Sequence, residues 1–261
     1  MKYLFSEPGK NLLESLTFTK TLYAFDFDGT LSPIVKNPED ATISKSILAS
    51  LAELSDLVPV AIISGRSIKD LKTRLGFEPS YLIGNHGLEG LGSTKASIEA
   101  SREICENWKS QLNARWGSLK NDSGIFVEDK MYSLALHYRK SRNKKQARLN
   151  LFEKIENLEP SPRIILGKSV MNLIPVGAPH KGVALLELMM VLELRSAFYI
   201  GDDDTDEDVF SLPDEGIITV RVGSKKTSHA KFFVKRQSEV HRIIKELTHR
   251  LQALAKKKKI S

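Results

Sequence analysis

The stretch Phe25-Asp-Phe-Asp-Gly-Thr-Leu31 constrains this chain more than any other. An apolar run from Thr21 to Phe27 ends in two carboxylates, Asp26 and Asp28, one residue apart, followed at once by Gly29 and Thr30. A short β-rich run stopped by a glycine turn reads as a buried strand whose C-terminal end opens into a loop. Residues two apart on a strand share a face, so both acids are expected to point at one space there. Open α/β sheets take their ligands in that crevice, outside the carboxyl ends of the strands.

Two other runs end the same way. Ile200-Gly-Asp-Asp-Asp-Thr-Asp-Glu-Asp208 is again an apolar strand running into carboxylates, and Ile63-Ser64-Gly65-Arg66 is a strand end carrying a hydroxyl. A lone Asp-x-Asp would read as a strand end that merely exposes its acids. Three strand ends with matching chemistry predict one shared site.

The segments between them set the architecture. A helix is expected after Asp40-Ala-Thr42, with Ile47, Leu48, Leu51, Leu54 and Leu57 at helical spacing. Val60 to Ile63 follows as a buried strand, then a helix capped by Ser67 and stopped by Gly76, then a strand at Tyr81 to Ile83. This alternation predicts a doubly wound parallel sheet with a Rossmann-like core. Between Leu91 and Val176 the order becomes α-β-β-α-β-β, with a helix over 97–116 and a hairpin turning at Gly167-Lys168. That order predicts an inserted α/β domain, an antiparallel sheet with helices on one face. The division expected is therefore 1–90 and 177–261 for the core and 91–176 for the insertion.

Pro179-His-Lys-Gly182 opens a helix whose apolar residues run nearly all round it, which predicts burial on most sides. Phe198 to Ile200 and Ile217 to Val222 supply two more core strands, with a short helix over 206–212 between them and an amphipathic helix over 239–254 closing the chain.

Composition narrows the partners. Of 261 residues, 41% are hydrophobic and 27% charged, ordinary for a globular protein. No apolar run nears the roughly 20 residues that span a bilayer, and the first residues lack a signal-peptide core. Cys105 is the sole cysteine and reads as packed, so a cytoplasmic protein without a disulfide is expected. The net charge of +7 owes much to Lys256-Lys-Lys-Lys259, read as a solvated, frayed tail. The other cations are scattered among acids, which argues against nucleic acid and leaves anionic small molecules as ligands. Gly84 to Gly92 does not keep the order of a dinucleotide fingerprint. Trp108, Trp116 and His137 read as packing residues.

The chemistry that fits these strand ends is phosphoryl transfer. Asp26 and Asp202 supply the oxygen-only, anionic coordination that Mg²⁺ prefers. The metal permits attack by a carboxylate on an anionic phosphoryl group. Asp26 is the expected nucleophile, forming an aspartyl-phosphate. Asp28 is the expected acid and base, protonating the leaving alkoxide and then deprotonating water. Ser64 and Lys181 are expected to hold the transferred oxygens. A cation at a helix start opposes the helix dipole, which marks Lys181 as functional.

These stretches, in this order, resemble the four motifs of the haloacid-dehalogenase superfamily phosphatases. Gly84-Asn-His-Gly-Leu-Glu89, Val127-Glu-Asp-Lys130 and Leu134-Ala-Leu-His-Tyr-Arg139 narrow the likeness to the trehalose-6-phosphate phosphatase family. The resemblance implies hydrolysis of trehalose 6-phosphate, with the inserted domain as a cap hinged near Gly90-Leu-Gly92 and Val176-Gly177. It implies that Asp28 lends its backbone carbonyl to Mg²⁺, that Asp203 supports the metal and that Asp206 acts from behind it. It implies sugar contacts from Gly87, Glu89 and Lys130, with Thr30, Gly65, Arg66, Asn85 and His86 lining the substrate. It implies a monomer coupled to a trehalose-6-phosphate synthase.

The chain departs from the family at one place. Where members usually carry Glu-x-Lys-Pro, this chain has Asn172-Leu-Ile174-Pro175. Asn172 still offers a sugar hydroxyl a hydrogen bond but brings no charge. A related glycosyl phosphate, such as glucosylglycerol phosphate, mannosyl-3-phosphoglycerate or sucrose 6-phosphate, stands as the alternative substrate. A mutase and an idle regulatory partner of a synthase are further readings; the presence of every catalytic acid argues against the second.

Overall fold

The computed structural model describes residues 1–90, 95–115, 124–167 and 169–260. It divides into two compact units, Met1–Leu91 with His180–Ser261, and Gly92–Pro179.

The first unit is built on the apolar run that opens the site. Strand β2 (Thr21–Phe25) is buried along its whole length. Its neighbours are β3 (Val60–Ile63) and β9 (Ser196–Gly201), both parallel to it. With β1 (Lys2–Tyr3), β4 (Tyr81–Ile83), β10 (Ile217–Val222) and β11 (Phe232–Val234), the sheet order is β1-β11-β10-β9-β2-β3-β4, all pairs parallel. The chain moves outward one way from β2 through β3 to β4, and the other way from β9 through β10 to β11. The order therefore reverses between β2 and β9, which places a crevice at their carboxyl ends.

Parallel strands covered on both faces read as continuous apolar runs, and this sheet is covered on both. Tyr23 and Phe25 pack into one core with helices α1 (Glu7–Leu16), α2 (Lys45–Ser55), α3 (Ile68–Arg74) and α8 (Ser238–Ile260). Leu22 and Ala24 face the other core, filled by α6 (Lys181–Val191) and α7 (Glu207–Phe210). Helix α8 contributes Val240, Ile243, Ile244 and Leu247, all fully buried; each such side chain stabilises the fold by roughly 1.5–3 kcal/mol. Ser44 and Ser67 accept from Ile47 N and Asp70 N at 3.3 and 3.2 Å and so start α2 and α3.

The second unit holds α4 (Lys95–Arg115), α5 (Lys144–Ile155) and an antiparallel sheet of β5 (Phe126–Asp129), β6 (Leu134–His137), β8 (Val170–Ile174) and β7 (Arg163–Gly167), in that spatial order. Leu134, Leu136, Met171 and Leu173 meet Cys105, Trp108, Leu112, Ala147, Leu151 and Ile155 in one core, so both helices cover the same sheet face. Trp108 is fully buried and its indole nitrogen donates to Pro160 O at 2.6 Å. His137 pairs with Glu128 at 2.7 Å and stacks on Phe126. Trp116, Leu91, Gly92 and Lys168 lie outside the described residues.

Three expectations need correction, and two stretches carried none. Helix α6 is apolar nearly all round, yet it buries only one side, leaving Leu186, Met190 and Val191 exposed. A one-helix-thick layer on a sheet has an outer face whatever its composition. Helix α1 and the edge strands β1 and β11 have no counterpart in the sequence reading. Pro8 stands in the first turn of α1, where a proline is favourable. A Cβ on Gly9 would lie 1.9 Å from Leu4 O, so only glycine fits. The lysine run is helical, because α8 continues to Ile260. Lysine is a good helix former, and cations complement the negative end of the dipole at a helix C-terminus. Last, β2 stops at Phe25, so Asp28 lies on the following loop and the two-residue strand period does not place it beside Asp26.

Among the described residues, no helix is long and apolar enough to cross a membrane.

Candidate active site

Asp26 is the first residue past β2, and its N–H still donates to Ile200 O at 2.9 Å, tying it to the end of β9. The chain then turns sharply. Phe27 O accepts from Leu31 N and Ser32 N at 3.0 and 2.9 Å, and Gly29 N donates to Ser32 O at 2.7 Å. Gly29 has φ +81°, and a Cβ there would sit 2.2 Å from Asp202 Oδ2. A side chain at that point would fill the space beside the Asp202 carboxylate; glycine leaves it to a ligand.

Lys181, the first residue of α6, is 2% exposed. Its ammonium donates to Asp26 Oδ1 and to Asp206 Oδ1, each at 2.7 Å. Asp206 is fully buried and saturated with donors. Oδ1 also accepts from the Tyr199 hydroxyl at 2.6 Å, and Oδ2 from Asp202 N and Asp203 N at 2.8 and 2.9 Å. A Cβ on Gly201 would stand 2.2 Å from Asp206 Cγ, so the backbone before Asp202 is cut to fit that carboxylate.

Among the described residues, Asp26, Asp202 and Asp206 bring carboxylate oxygens within 4.8 Å of one another. Three carboxylates against one ammonium leave two negative charges in excess. Burial, first, and then the charges of Asp206 and Asp202 raise the Asp26 carboxyl well above the usual aspartate range, although Lys181 pulls the other way. Burial lowers the pKa of the Lys181 ammonium, but Asp206 and Asp26 outweigh it and the net shift is upward. Burial also raises the Tyr199 hydroxyl, reinforced by Asp206, so it stays protonated and donates. With Asp206 committed to its donors, Asp26 and Asp202 are the carboxylates that fit a hard divalent cation, and the excess charge is what such an ion neutralises.

The remaining motif residues of the first unit lie on neighbouring strand ends. Ser64 follows β3, is buried, and accepts from Arg66 N at 3.2 Å. Gly65 lies against the His86 ring, 2.4 Å from where its Cβ would be. Arg66 grips Asp28 in a two-pronged ion pair at 2.6 and 2.7 Å. Asn85, His86 and Gly87 all have positive φ, and Gly84 and Glu89 close that turn as a bridge. The Glu89 carboxylate accepts from Ile68 N at 2.6 Å and from Asn85 Nδ2 at 2.9 Å, holding the loop to the start of α3. Thr30 Oγ1 and Asn85 Oδ1 are buried with no hydrogen-bond partner among the described residues. Orphaned polar atoms are costly, so a ligand or solvent is expected to satisfy them. Lys130 and Asn172 belong to the second unit; Lys130 is half-buried, and Asn172 is buried on β8 opposite Ala135 and Ile165.

Two supporting residues escaped sequence reasoning. Tyr199 passed for another apolar strand residue, although a tyrosine three residues before an acidic run is a signal for a buried hydroxyl needing an acceptor. Arg221 donates to Asp203 O at 3.1 Å and Glu207 Oε1 at 2.8 Å, bracing the acidic loop from β10. An arginine inside Ile217-Ile-Thr-Val-Arg-Val222 was its signal.

The trehalose-phosphatase family model matches residues 24–239. A trehalose-phosphate phosphatase of Mycobacterium ulcerans is 33% identical over 207 residues, covering 76% of this chain and 52% of that one. The chain thus spans about half the length of the curated relatives it matches. The C-terminal domain of a Candida albicans trehalose-6-phosphate phosphatase superposes with a TM-score of 0.76 at 22% identity, covering 92% of this chain and 96% of that one. An Aspergillus fumigatus trehalose-6-phosphate phosphatase gives a TM-score of 0.61 at 25% identity, over 95% and 99%.

Proposed function

Because the chain belongs to the trehalose-phosphatase family, we propose that it is a phosphoric monoester hydrolase that releases phosphate from trehalose 6-phosphate through an aspartyl-phosphate on Asp26. The observation that carries this reading is the Lys181 ammonium, locked 2.7 Å from Asp26 Oδ1 by the saturated carboxylate of Asp206. It fixes the Asp26 carboxylate in one direction, and such orientation is worth several kcal/mol of barrier.

In the first half-reaction an Asp26 oxygen bonds to phosphorus as the bond to the sugar oxygen breaks, and Asp28 gives its proton to that oxygen. In the second, Asp28 takes a proton from water as the water oxygen attacks phosphorus, which frees phosphate and restores Asp26. Ser64 and Lys181 hold the transferred oxygens. Asp26 and Asp202, with the Asp28 carbonyl and support from Asp203, would hold Mg²⁺, which supplies neutralising charge when bound. Asp206 orients Lys181 and the Asp202–Asp203 backbone. Thr30, Gly65, Asn85, His86, Gly87, Glu89, Lys130 and Asn172 are the proposed substrate contacts; Arg66 acts through Asp28. We place this activity in the cytoplasm, in a monomer that consumes the product of a trehalose-6-phosphate synthase.

Asn172 favours a second reading within the same chemistry. An uncharged amide suits fewer or differently placed hydroxyls than a carboxylate does, so a related glycosyl phosphate is the rival substrate. Phosphate release from trehalose 6-phosphate, sucrose 6-phosphate, glucosylglycerol phosphate and simple hexose phosphates separates them. The proposal requires trehalose 6-phosphate to have the highest kcat/KM.

A further inference from the structure

Asp28 is held by Arg66, and what holds Arg66 lies outside the residues assigned above. The guanidinium gives Nε and Nη2 to the two Asp28 oxygens, Nη2 also to Pro38 O at 2.7 Å, and Nη1 to Asp70 Oδ2 at 2.6 Å. It lies over the Phe27 ring, 5.3 Å from the centroid. Asp70, on α3, is gripped in turn by Arg74 one turn later, from Nε at 2.9 and 3.0 Å and from Nη2 at 2.8 Å. Arg74 Nη1 ends the series on the carbonyls of Glu39 and Ala41, both at 2.9 Å. The Arg66 and Arg74 side chains are only 10% and 13% exposed, whereas that of Asp28 is 44% exposed.

The alternation of charge, Asp28–Arg66–Asp70–Arg74, has a mechanical consequence. A half-exposed aspartate on a loop samples several rotamers, and only some aim a carboxyl oxygen at a leaving group. A guanidinium clamped from both sides presents a fixed fork, and a bidentate pair transmits that geometry. We propose that Asp70 is a positioning residue for the reaction: acting through Arg66, it sets the direction of the Asp28 carboxylate, with Arg74 as the anchor. This rests on the reading of Asp28 as acid and base.

The rival account is that these residues merely staple α3 to the loop after β2. The leaving group tells the two apart. A sugar alkoxide departs only with a proton from Asp28, whereas nitrophenolate departs without one. For Asp70→Ala, the first turnover of trehalose 6-phosphate is expected to slow by about tenfold to a hundredfold, a large part of what a positioned acid contributes. KM and the nitrophenolate burst from p-nitrophenyl phosphate are expected to stay within about twofold. Asp70→Asn, which keeps one acceptor, should lose less; Arg74→Gln should lose in the same selective way; Lys72→Ala, on the same helix, should change nothing. If Asp70→Ala does not fold, Asp70→Asn and Arg74→Gln give the same reading. Equal losses on both substrates, or none on either, overturn the proposal. Asp28→Asn must itself show the selective loss. Should it fail to, the reading of Asp28 is wrong; should it succeed while the Asp70 variants do not, only the positioning role is wrong.

Discussion

The Lys181 ammonium donates to Asp26 Oδ1 at 2.7 Å, with the two side chains 2% and 6% exposed. The pair joins the start of α6 to the end of β2, 155 residues earlier. Removing the cation, as in Lys181→Met, strands buried carboxylates without a counter-charge. That is expected to cost about 3–5 kcal/mol of stability in metal-free protein. Urea denaturation with chelator and with Mg²⁺ measures it, and the loss should shrink when the ion is present. An equal loss in both conditions would mean that lysine and metal do not share a charge cluster.

The Tyr199 hydroxyl is one of the donors that saturate Asp206. Tyr199→Phe deletes a buried hydrogen bond to a charged group, worth roughly 1.5–3 kcal/mol. Stability should fall by that amount in urea, and kcat should fall more than KM rises, because Lys181 is left with a looser partner. A variant with unchanged stability and kcat would show that Asp206 does not depend on this donor.

Asp26 predicts a pH dependence of its own. In the metal-free fold its carboxyl is raised well above the ordinary range, chiefly by burial and then by its acidic neighbours. An acid raised in the folded state contributes stability that is complete below its unfolded pKa, roughly 3.9, and lost as pH climbs through the folded value. Chelated protein should therefore weaken as pH rises from acid toward neutral. Binding a cation expels the proton, so the gain in Tm from added Mg²⁺ should be larger at about pH 7.5 than at about pH 5. A gain independent of pH would contradict the assignment of Asp26 as a ligand.

Much of this arrangement was legible in the chain, and the exceptions have physical causes. Lys181 announces itself because a cation at a helix start opposes the dipole, and Asp26 and Asp202 because each ends an apolar strand where an uncompensated charge would be expensive. The strands β2, β3 and β9 are plain for the same reason, being β-branched or aromatic runs with abrupt polar ends. Helix α6 is apolar on its outer face as well as its inner one, so exposed Met190 looks like buried Leu188 in the sequence. Tyr199 stayed hidden because its acceptor, Asp206, comes back over the end of β9 only once the acidic turn is folded, and Arg221 because β10 must lie beside β9 to bring it to Asp203 and Glu207. Asp70 and Arg74 look like an ordinary surface pair four apart on a helix, and only the fold brings Arg66 between Asp70 and Asp28.

Cys105 offers a check on the second unit alone. It is 1% exposed in the core between α4 and the sheet, and burial with the nearby Asp129 charge pushes its thiol up to about 12 despite Lys109. A thiol reagent at neutral pH should leave the native protein unmodified and label it fully in denaturant. Rapid labelling without denaturant would mean that this core is not packed as described.

Asn172 tests specificity. Asn172→Glu restores a charge on β8 and should raise kcat/KM for trehalose 6-phosphate relative to the other glycosyl phosphates, by about tenfold for one well-made charged hydrogen bond. An unchanged ranking would remove Asn172 from the substrate contacts.

On the proposed pathway the phosphoryl group passes through Asp26. The direct measurement is phosphate release from trehalose 6-phosphate by Asp26→Asn beside the native protein, both saturated with Mg²⁺ and both verified as folded by their thermal transitions. Release that chelator abolishes is expected from the native protein and none above background from the variant; release from the variant at the native rate would contradict a nucleophilic Asp26.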